Sequence, residues 1–420
     1  MSRRKGNSGR IMAEHYEVIV VGGGPSGLFC ALSCAAAGKT VVVLEKMPAC
    51  GRKLLISGSG QCNITHDGDI SSFLTHYGEH GKFAKPALMQ FSNLDIIAFF
   101  QERGLAMVTE PGGKVFPRTR RASDILAILL AECASRAVDI RCREPVLGVD
   151  ASDEGFTVTT GRGTYFSGAL VIATGGATYP ATGSSGDGYA MAGSFGHRVT
   201  GIGPALAAVL VKDYPFAELA GMSFENIPTA LYREGRKVFQ HRGDLLFTHT
   251  GLSGPGILDM SRDIRPGDLL KVSFFPFQDP EPAKKVVHDL LLQGKGAQVA
   301  TVLKGLSLPE RLVKRILEQA GVSSGQTCAH LPKSTRNALA LMITGFPFTV
   351  RALEGFDRAM VTRGGVDLED INPRTMESRL RPGLFFIGEV LDIDGDSGGY
   401  NLQFACSSGV LAARNIGGRV

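Results

Sequence analysis

Three consecutive glycines, Gly22-Gly23-Gly24, are followed by Pro25, Ser26 and Gly27, with Glu45 eighteen residues further on. This G-x-G-x-x-G pattern has a mechanical logic. Gly22 permits a tight turn, Gly24 lets a pyrophosphate approach the backbone, and Gly27 lets a following helix pack closely on a strand. The helix start presents N–H groups and a partial positive charge to phosphate. Glu45 is placed to accept hydrogen bonds from an adenosine ribose. The chemistry implied is dinucleotide binding. Arg52 and Lys53, soon after the acid, are further candidates for contact with phosphate or cofactor.

Those residues need a strand–turn–helix–strand unit, and the surrounding pattern supplies one. Glu17–Val21 is a β-rich apolar run, Leu28–Ala37 is small and apolar up to Gly38, and Thr40–Leu44 is a second apolar strand closed by Glu45. Helices are predicted over Lys85–Gly104 and Ser123–Arg136, the latter with Ile125, Leu126, Leu129, Leu130 and Cys133 on one face. Strands at Pro145–Val149, Phe156–Thr160 and Thr164–Phe166 read as a small meander. Ala169–Ala173 is the next strand and runs into Thr174-Gly175-Gly176. From Gly201 the order changes. Ala207–Val211, Thr229–Tyr232, Lys237–Gln240, Leu245–Thr248 and Leu269–Phe275 read as strands, and Pro282–Ala320 as interrupted helix. Leu384–Ile387 then ends in Gly388-Glu389, followed by a glycine-rich loop and a helix from about Gln403 to Asn415. The predicted class is α/β. A discontinuous Rossmann-type domain (15–200 and 346–420) holds a β-barrel-like insert (201–280) and a small helical subdomain (281–345), after a flexible leader (1–14).

Composition narrows the class. The chain has 420 residues, 44% hydrophobic and 20% charged, enough for two or three globular domains with a large core. Its net charge of +5 is mild and does not by itself argue for nucleic acid. Eight cysteines show no zinc spacing, and several fall in helices or strands, so reduced thiols and a cytoplasmic setting are expected. No apolar run is long enough to cross a membrane. Met1–Arg10 is basic and lacks the apolar segment of a signal peptide; it reads as a frayed leader, with Met12 an alternative start.

The later motifs carry a resemblance. G-G-G-P-S-G, G-R-K-L-L-I-S-G-S-G-Q-C-N, A-T-G-G-A-T-Y-P-A-T-G-S-S-G-D-G-Y, L-L-F-T-H-T-G-L-S-G-P and L-F-F-I-G-E-V-L-D-I-D-G-D-S-G-G-Y-N-L-Q together resemble the BaiN/YhiN-type flavoproteins. These are described as aminoacetone-oxidase-like or NAD(P)/FAD-dependent oxidoreductases. The resemblance runs from Glu17 to Asn415 and implies FAD, a three-part architecture and redox chemistry. Beyond the first turn, it implies FAD contacts at Lys46, Ser57, Gly58, Cys62, Asn63, Val146, Ala173, Thr174, Gly175, Gly388, Glu389 and Leu402. Gln61 and His66 stand where the family pattern more often has Arg and Asn.

With a flavin expected, the remaining candidates take roles. Gly399, Tyr400 and Asn401 precede or open a helix whose N–H groups can face the flavin pyrimidine, where reduction places negative charge near N1 and O2. Asp392, Asp394 and Asp396 mimic a calcium loop, but Ser397 takes its glycine position and Gln403 its bidentate glutamate, so no metal is expected. Asp394 is instead assigned to the ribityl or phosphate groups. Cys50 and Cys62 are too far apart for a C-x-x-C redox pair, which makes Cys62 a packed thiol near FAD. His249 and Tyr400 are the candidate proton-transfer residues; a histidine bonded within its turn and an aromatic wall are the alternatives, and Tyr179 shares the latter.

No second G-x-G-x-x-G unit follows Ala173-Thr174-Gly175, so NAD(P)H is expected as a transient donor rather than the ligand of its own domain. The expected function is FAD-dependent hydride transfer to or from a small molecule. An oxygen-using oxidase of aminoacetone-like amines is the alternative, with an RNA-modifying or redox-sensing flavoprotein as the different class. The mild charge and the lack of a basic, aromatic-interleaved stripe predict no nucleic-acid partner. Oligomeric state is left open.

Overall fold

The computed structural model describes residues 13–275 and 280–418, so the leader read at Met1–Arg10 and the alternative start at Met12 lie outside the described residues. Contacts divide the chain into two compact units, 1–203 with 360–420 and 204–359, each with its own apolar core.

The first unit begins with β1 (Glu14–Val21), α1 (Pro25–Ala36) and β2 (Val41–Glu45). Val18–Val21 and Val41–Leu44 are buried on both faces, as strands of a covered parallel sheet must be. Next come α2 (Arg52–Ile56), β3 (Thr65–His66), α3 (Gly81–Gln90), α4 (Asn93–Gln101), β4 (Met107–Thr109), β5 (Lys114–Pro117), α5 (Ala122–Ser135) and β6 (Asp139–Cys142). The meander is β7 (Val146–Ser152), β8 (Gly155–Thr160) and β9 (Thr164–Ile172), after which α6 (Asp187–Ser194) and β10 (Gly203–Ala205) close this stretch.

Two sequence expectations change here. The single helix expected over Lys85–Gly104 is two helices. Phe91 leaves helical geometry, and Ser92 and Asp95 form a reciprocal capping box that starts α4 afresh. The strands expected at Thr164–Phe166 and Ala169–Ala173 are one, because β1 pairs in parallel along it from Glu14↔Tyr165 to Val21↔Ile172.

The second unit holds β11 (Val209–Val211), β12 (Ser223–Arg233), β13 (Arg236–Phe247), β14 (Gly251–Ser253), α7 (Pro255–Met260), β15 (Leu269–Val272), α8 (Pro280–Gln293), α9 (Val299–Leu303), α10 (Glu310–Gln319), α11 (Lys333–Gly345) and β16 (Phe346–Leu353). Its strands close as β11-β14-β13-β12-β15-β16 around Phe216, Phe247, Phe274, Phe346 and Phe348. The domain boundary expected at 345/346 moves to 359/360, since β16 pairs with both β11 and β15 and completes the barrel. The strands expected at Lys237–Gln240 and Leu245–Thr248 are both part of β13.

The chain returns to the first unit with β17 (Val361–Arg363), β18 (Leu384–Phe386) and α12 (Tyr400–Gly417). β18 pairs in parallel with the second half of β9 (Leu384↔Leu170 to Phe386↔Ile172), and β8 pairs antiparallel with the first half. The sheet order is β6-β2-β1-β9-β8-β7 with β18 beside β9. The architecture is therefore α/β, a discontinuous Rossmann-type unit, a closed barrel and helices.

Candidate cofactor site

The C-terminal ends of β1, β2, β9 and β18 lie side by side in one sheet, and each runs into a candidate binding loop. Such strand ends are where ligands of open α/β sheets bind. After β1, each glycine of the first turn has a separate cause. Gly22 has φ +111°, and a β-carbon there would strike the carbonyl oxygen of Ala173. A β-carbon on Gly27 would drive into the carbonyl oxygen of Gly22, so α1 can pack on β1 only without one. Gly24 is the opposite case, with no protein atom within 4 Å of the place a β-carbon would occupy. Pro25 opens α1, no side chain caps it, and the N–H groups of Ser26 and Gly27 have no acceptor within the helix. An open backbone face beside a helix N-terminus suits a pyrophosphate.

Glu45 ends β2 with its carboxylate on this same turn. Oε2 accepts from the Gly23 N–H at 2.8 Å and Oε1 from the Met47 N–H at 2.7 Å, which leaves further lone pairs for hydroxyl donors. After β9, the Ala173 N–H donates to Val21 O at 2.9 Å, Thr174 follows, and Gly175 has φ +73°. After β18, Gly388 donates its N–H to Ser408 Oγ at 3.0 Å, and a β-carbon there would lie 2.8 Å from Ser26 Oγ. These residues fit FAD by the open Gly24 face, the unpaired helix donors and an acid at the second strand's end.

Other expected contacts hold one another. Lys53 Nζ lies 2.8 Å from Glu389 Oε2 and 2.6 Å from Thr178 Oγ1, and Glu389 Oε1 also accepts from the Thr362 N–H at 2.9 Å. Lys46 Nζ pairs with Asp187 Oδ2 at 2.9 Å and Ser185 Oγ at 2.6 Å. Arg52, half-buried at the start of α2, makes no hydrogen bond or ion pair among the described residues. Val146 opens β7, half-buried opposite Thr160.

The loop after α2 and the start of α12 form a second region. Ser57 donates to Leu54 O at 2.7 Å, Gly58 has φ +54°, and Asn63 Nδ2 donates to Thr65 O at 2.8 Å and Val115 O at 3.1 Å. Cys62 is fully buried, and burial pushes its thiol up to about 12. Gly399 packs against the Thr65 carbonyl, where a β-carbon would lie at 2.5 Å. The closing helix starts at Tyr400 rather than Gln403, since Gly398 and Gly399 (φ +119° and +104°) turn the chain into it. The Asn401 and Leu402 N–H groups therefore occupy the first helical turn, where acceptors within the helix are lacking.

Three side chains of the expected site have defined surroundings. The Asn401 amide is committed to its own loop, accepting from the Gly395 N–H at 2.7 Å and donating to Gly395 O at 2.8 Å and Asp396 O at 3.3 Å. Tyr400 is buried and stacked between the rings of His66 (5.1 Å, 15°) and His76 (4.0 Å, 12°), which makes it a wall. His249 is exposed on the turn between β13 and β14 of the barrel unit, so the alternative of a buried, turn-bonded histidine does not hold. Asp394 is buried on the loop before α12, and Leu402 is half-buried on that helix. Sequence reasoning assigned no role to Thr178, Thr362 and His76; Thr178 lies within the quoted A-T-G-G-A-T-Y-P motif, the other two in none, and only the folded chain joins them to Lys53, Glu389 and Tyr400. Among the described residues no group of His, Cys, Asp and Glu could hold a metal, and no helix is long and apolar enough to cross a membrane.

The family model described as HI0933-like protein Rossmann domain matches residues 16–415. The chain is 34% identical over 407 residues to a ribosomal RNA dihydrouridine synthase of Escherichia coli (strain K12), covering 96% of this chain and 98% of that one. It is 32% identical over 404 residues to a 3-dehydro-bile acid delta(4,6)-reductase of Clostridium scindens, covering 94% and 97%. A ribosomal RNA dihydrouridine synthase of Haemophilus influenzae shares 33% over 412 residues, covering 96% and 99%. Among solved structures, a 3-ketosteroid-delta4-(5alpha)-dehydrogenase from Rhodococcus jostii RHA1 aligns over 100% of both chains at TM-score 0.50 and 15% identity, a likeness of fold.

Proposed function

This chain belongs to the HI0933-like, BaiN/YhiN-type family of FAD-dependent oxidoreductases, and we propose that it is a reductase of carbon–carbon double bonds conjugated to a carbonyl, fed by transiently docking NAD(P)H. The observation that carries the cofactor half is the open Gly24 face between the α1 N-terminus and Glu45. The names of the relatives support the reaction. A dihydrouridine synthase and a 3-dehydro-bile acid delta(4,6)-reductase, by those names, each saturate a ring double bond conjugated to a carbonyl, one in a uracil and one in a steroid. A ring of either kind accepts a hydride at the carbon remote from the carbonyl and then a proton at the nearer one.

Bound FAD supplies the hydride chemistry. The chain's residues bind and orient. Ser26 and Gly27 N–H groups and the α1 dipole would hold the pyrophosphate, Glu45 the ribose, and the Asn401 and Leu402 N–H groups the pyrimidine edge. Glu389 and Thr178 fix Lys53.

Uracil within RNA is the first substrate class, favoured by the two relatives named for ribosomal RNA. A small polycyclic enone is the second reading, favoured by the bile-acid relative. Anaerobic stopped-flow decides. NADH or NADPH should bleach the flavin, and unmodified ribosomal RNA or a 4-en-3-one steroid should restore its colour with one double bond saturated per turnover. A flavin reduced by an amine and by neither nicotinamide would overturn the proposal in favour of an amine oxidase.

A further inference from the structure

The barrel unit carries cations that the sequence scatters and the strand pairing gathers. Along β16 the burial alternates, with Phe346, Phe348 and Val350 inside and Pro347, Thr349 and Arg351 outside. The neighbouring strands follow the same rule. Leu270 and Val272 of β15 and Leu231 of β12 are buried, which turns Lys271 and Tyr232 outward. Lys271 stands opposite Ala230 of β12 and Pro347 of β16, and Tyr232 stands opposite Lys237 of β13. On the other flank, Val211 ends β11 buried and Lys212 follows it exposed, its N–H on Thr349 O at 2.9 Å.

Lys237, Lys271, Arg351 and Lys212 therefore form one band across the consecutive strands β13, β12, β15, β16 and β11. Paired strands lie about 4.8 Å apart, so the band runs for about 20 Å. Among the described residues no carboxylate takes an outward position between these cations; Glu234 and Asp213 lie in the turns at its two edges. The charges are unspent. The side chains of Lys212 and Arg351 make no hydrogen bond or ion pair among the described residues. Lys271 Nζ lies 4.2 Å from the centre of the Tyr232 ring, and Lys237 Nζ donates to the neutral Gln240 amide at 2.6 Å. Arg233 shows the opposite case, because the buried Asp268 carboxylate holds it at 2.8 Å. Like charges gathered on one sheet face repel, and a polyanion laid along them removes that cost.

We propose that this band docks the sugar–phosphate backbone of RNA. It rests on the reading of uracil within RNA as the substrate, and it names where the chain holds that partner. Phosphates repeated along a strand can meet a row of cations of this length, whereas a neutral polycyclic enone gains nothing from it. Contacts of this kind hold and orient the RNA without reading its sequence.

The test is fluorescence anisotropy of a fluorescein-labelled fragment of unmodified ribosomal RNA, titrated with the full FAD-bound chain at several salt concentrations. Four phosphates neutralised on a single strand predict an affinity loss of about fiftyfold between about 50 and 200 mM salt. Lys271→Gln/Arg351→Gln removes two of the four, so the same change in salt should cost only about sevenfold, and binding at low salt should be weaker than wild type. Lys285→Gln/Lys333→Gln removes the same charge from exposed positions on α8 and α11 and should bind as wild type. Bleaching of the flavin by NAD(P)H should be unchanged in both. Equal weakening by the two double variants, or a preference of the band for phosphatidylglycerol vesicles over the RNA, overturns the inference. So does a Lys271→Gln/Arg351→Gln chain that binds as wild type, while reduction of ribosomal RNA uracil by wild type would still uphold the functional reading. Band-dependent binding with no uracil reduced would overturn that reading and leave the docking surface standing.

Discussion

The turn at Gly22–Gly27 and the loop entering α12 are both assigned to the same cofactor, yet they are built by opposite means. The first works by the absence of side chains. Gly22 and Gly27 are packed so tightly that a β-carbon would meet backbone, while Gly24 is left open. The second works by side chains that lock one another, with Asn401 bracing Gly395, and His66 and His76 clamping Tyr400. A region defined by what is missing tolerates almost nothing at its packed positions. A region defined by mutual bracing should loosen by degrees.

The largest expected effect tests the first half of that contrast. Gly27→Ala forces a methyl into the Gly22 carbonyl, and overpacking of this kind costs about 1–3 kcal/mol. The variant should melt lower and emerge colourless. Gly24→Ala meets no protein atom, and its backbone (φ −80°, ψ 178°) suits any residue. It should unfold in urea within about 0.5 kcal/mol of wild type and still lose FAD on dilution. Equal destabilisation by the two substitutions would remove the distinction between a packing glycine and a binding glycine.

The same contrast explains what could be read from sequence. Glycine spacing, apolar runs and Glu45 carry their meaning in one dimension, so the first turn, its flanking strands and the return of β18 to the sheet were all legible. The strand pairing of β18 with β9 spans more than two hundred residues, yet the motif at its end announced it. The second region was legible only as a place. That Lys53 finds Glu389 depends on a contact between segments far apart in the chain, and that Asn401 turns back to Gly395 six residues earlier is a local side-chain choice; no spacing encodes either. Phe91 misled for a related reason: the apolar period continues through the break in Lys85–Gly104, while the Ser92–Asp95 capping box that ends it is a short polar signal inside an apolar run.

Within the second region, Lys53→Met should have the larger effect. It leaves Glu389, about one-fifth exposed, with the Thr178 hydroxyl and the Thr362 N–H as partners. Losing a charged hydrogen-bond partner at a half-buried carboxylate costs about 1–2 kcal/mol, to be measured by urea unfolding of the FAD-bound chain. Asn401→Ala should follow at about 1 kcal/mol, with its signature in faster amide exchange at Gly395–Gly398. Exchange at the wild-type rate would mean that the amide does not brace the loop.

The smallest effect compares the two regions through a thiol in each. Cys50 lies directly under Gly23, and Cys62 sits in the loop after α2; both are buried, and burial raises both thiols. At Cys50 the neighbouring Cys142 and Glu45 push in the same direction. At Cys62 burial acts against a hydrogen bond from Ser57 and still lifts the group to about 12. An unfolded thiol ionises near about 8.5. Below that pH both states keep the proton and stability has no slope from this group. Above it the unfolded chain loses the proton while the native chain keeps it, so the unfolded state binds fewer protons and stability falls. The fall is about 1.4 kcal/mol per pH unit until the native group itself ionises. Cys62→Ala removes one such contribution, so under reducing conditions its stability should decline less steeply than wild type between pH 9 and 10.5, and Cys50→Ala should flatten the curve by the same amount. A Cys62→Ala curve parallel to wild type would mean that water reaches the loop after α2, and the region braced by side chains would then be open where the glycine turn is closed.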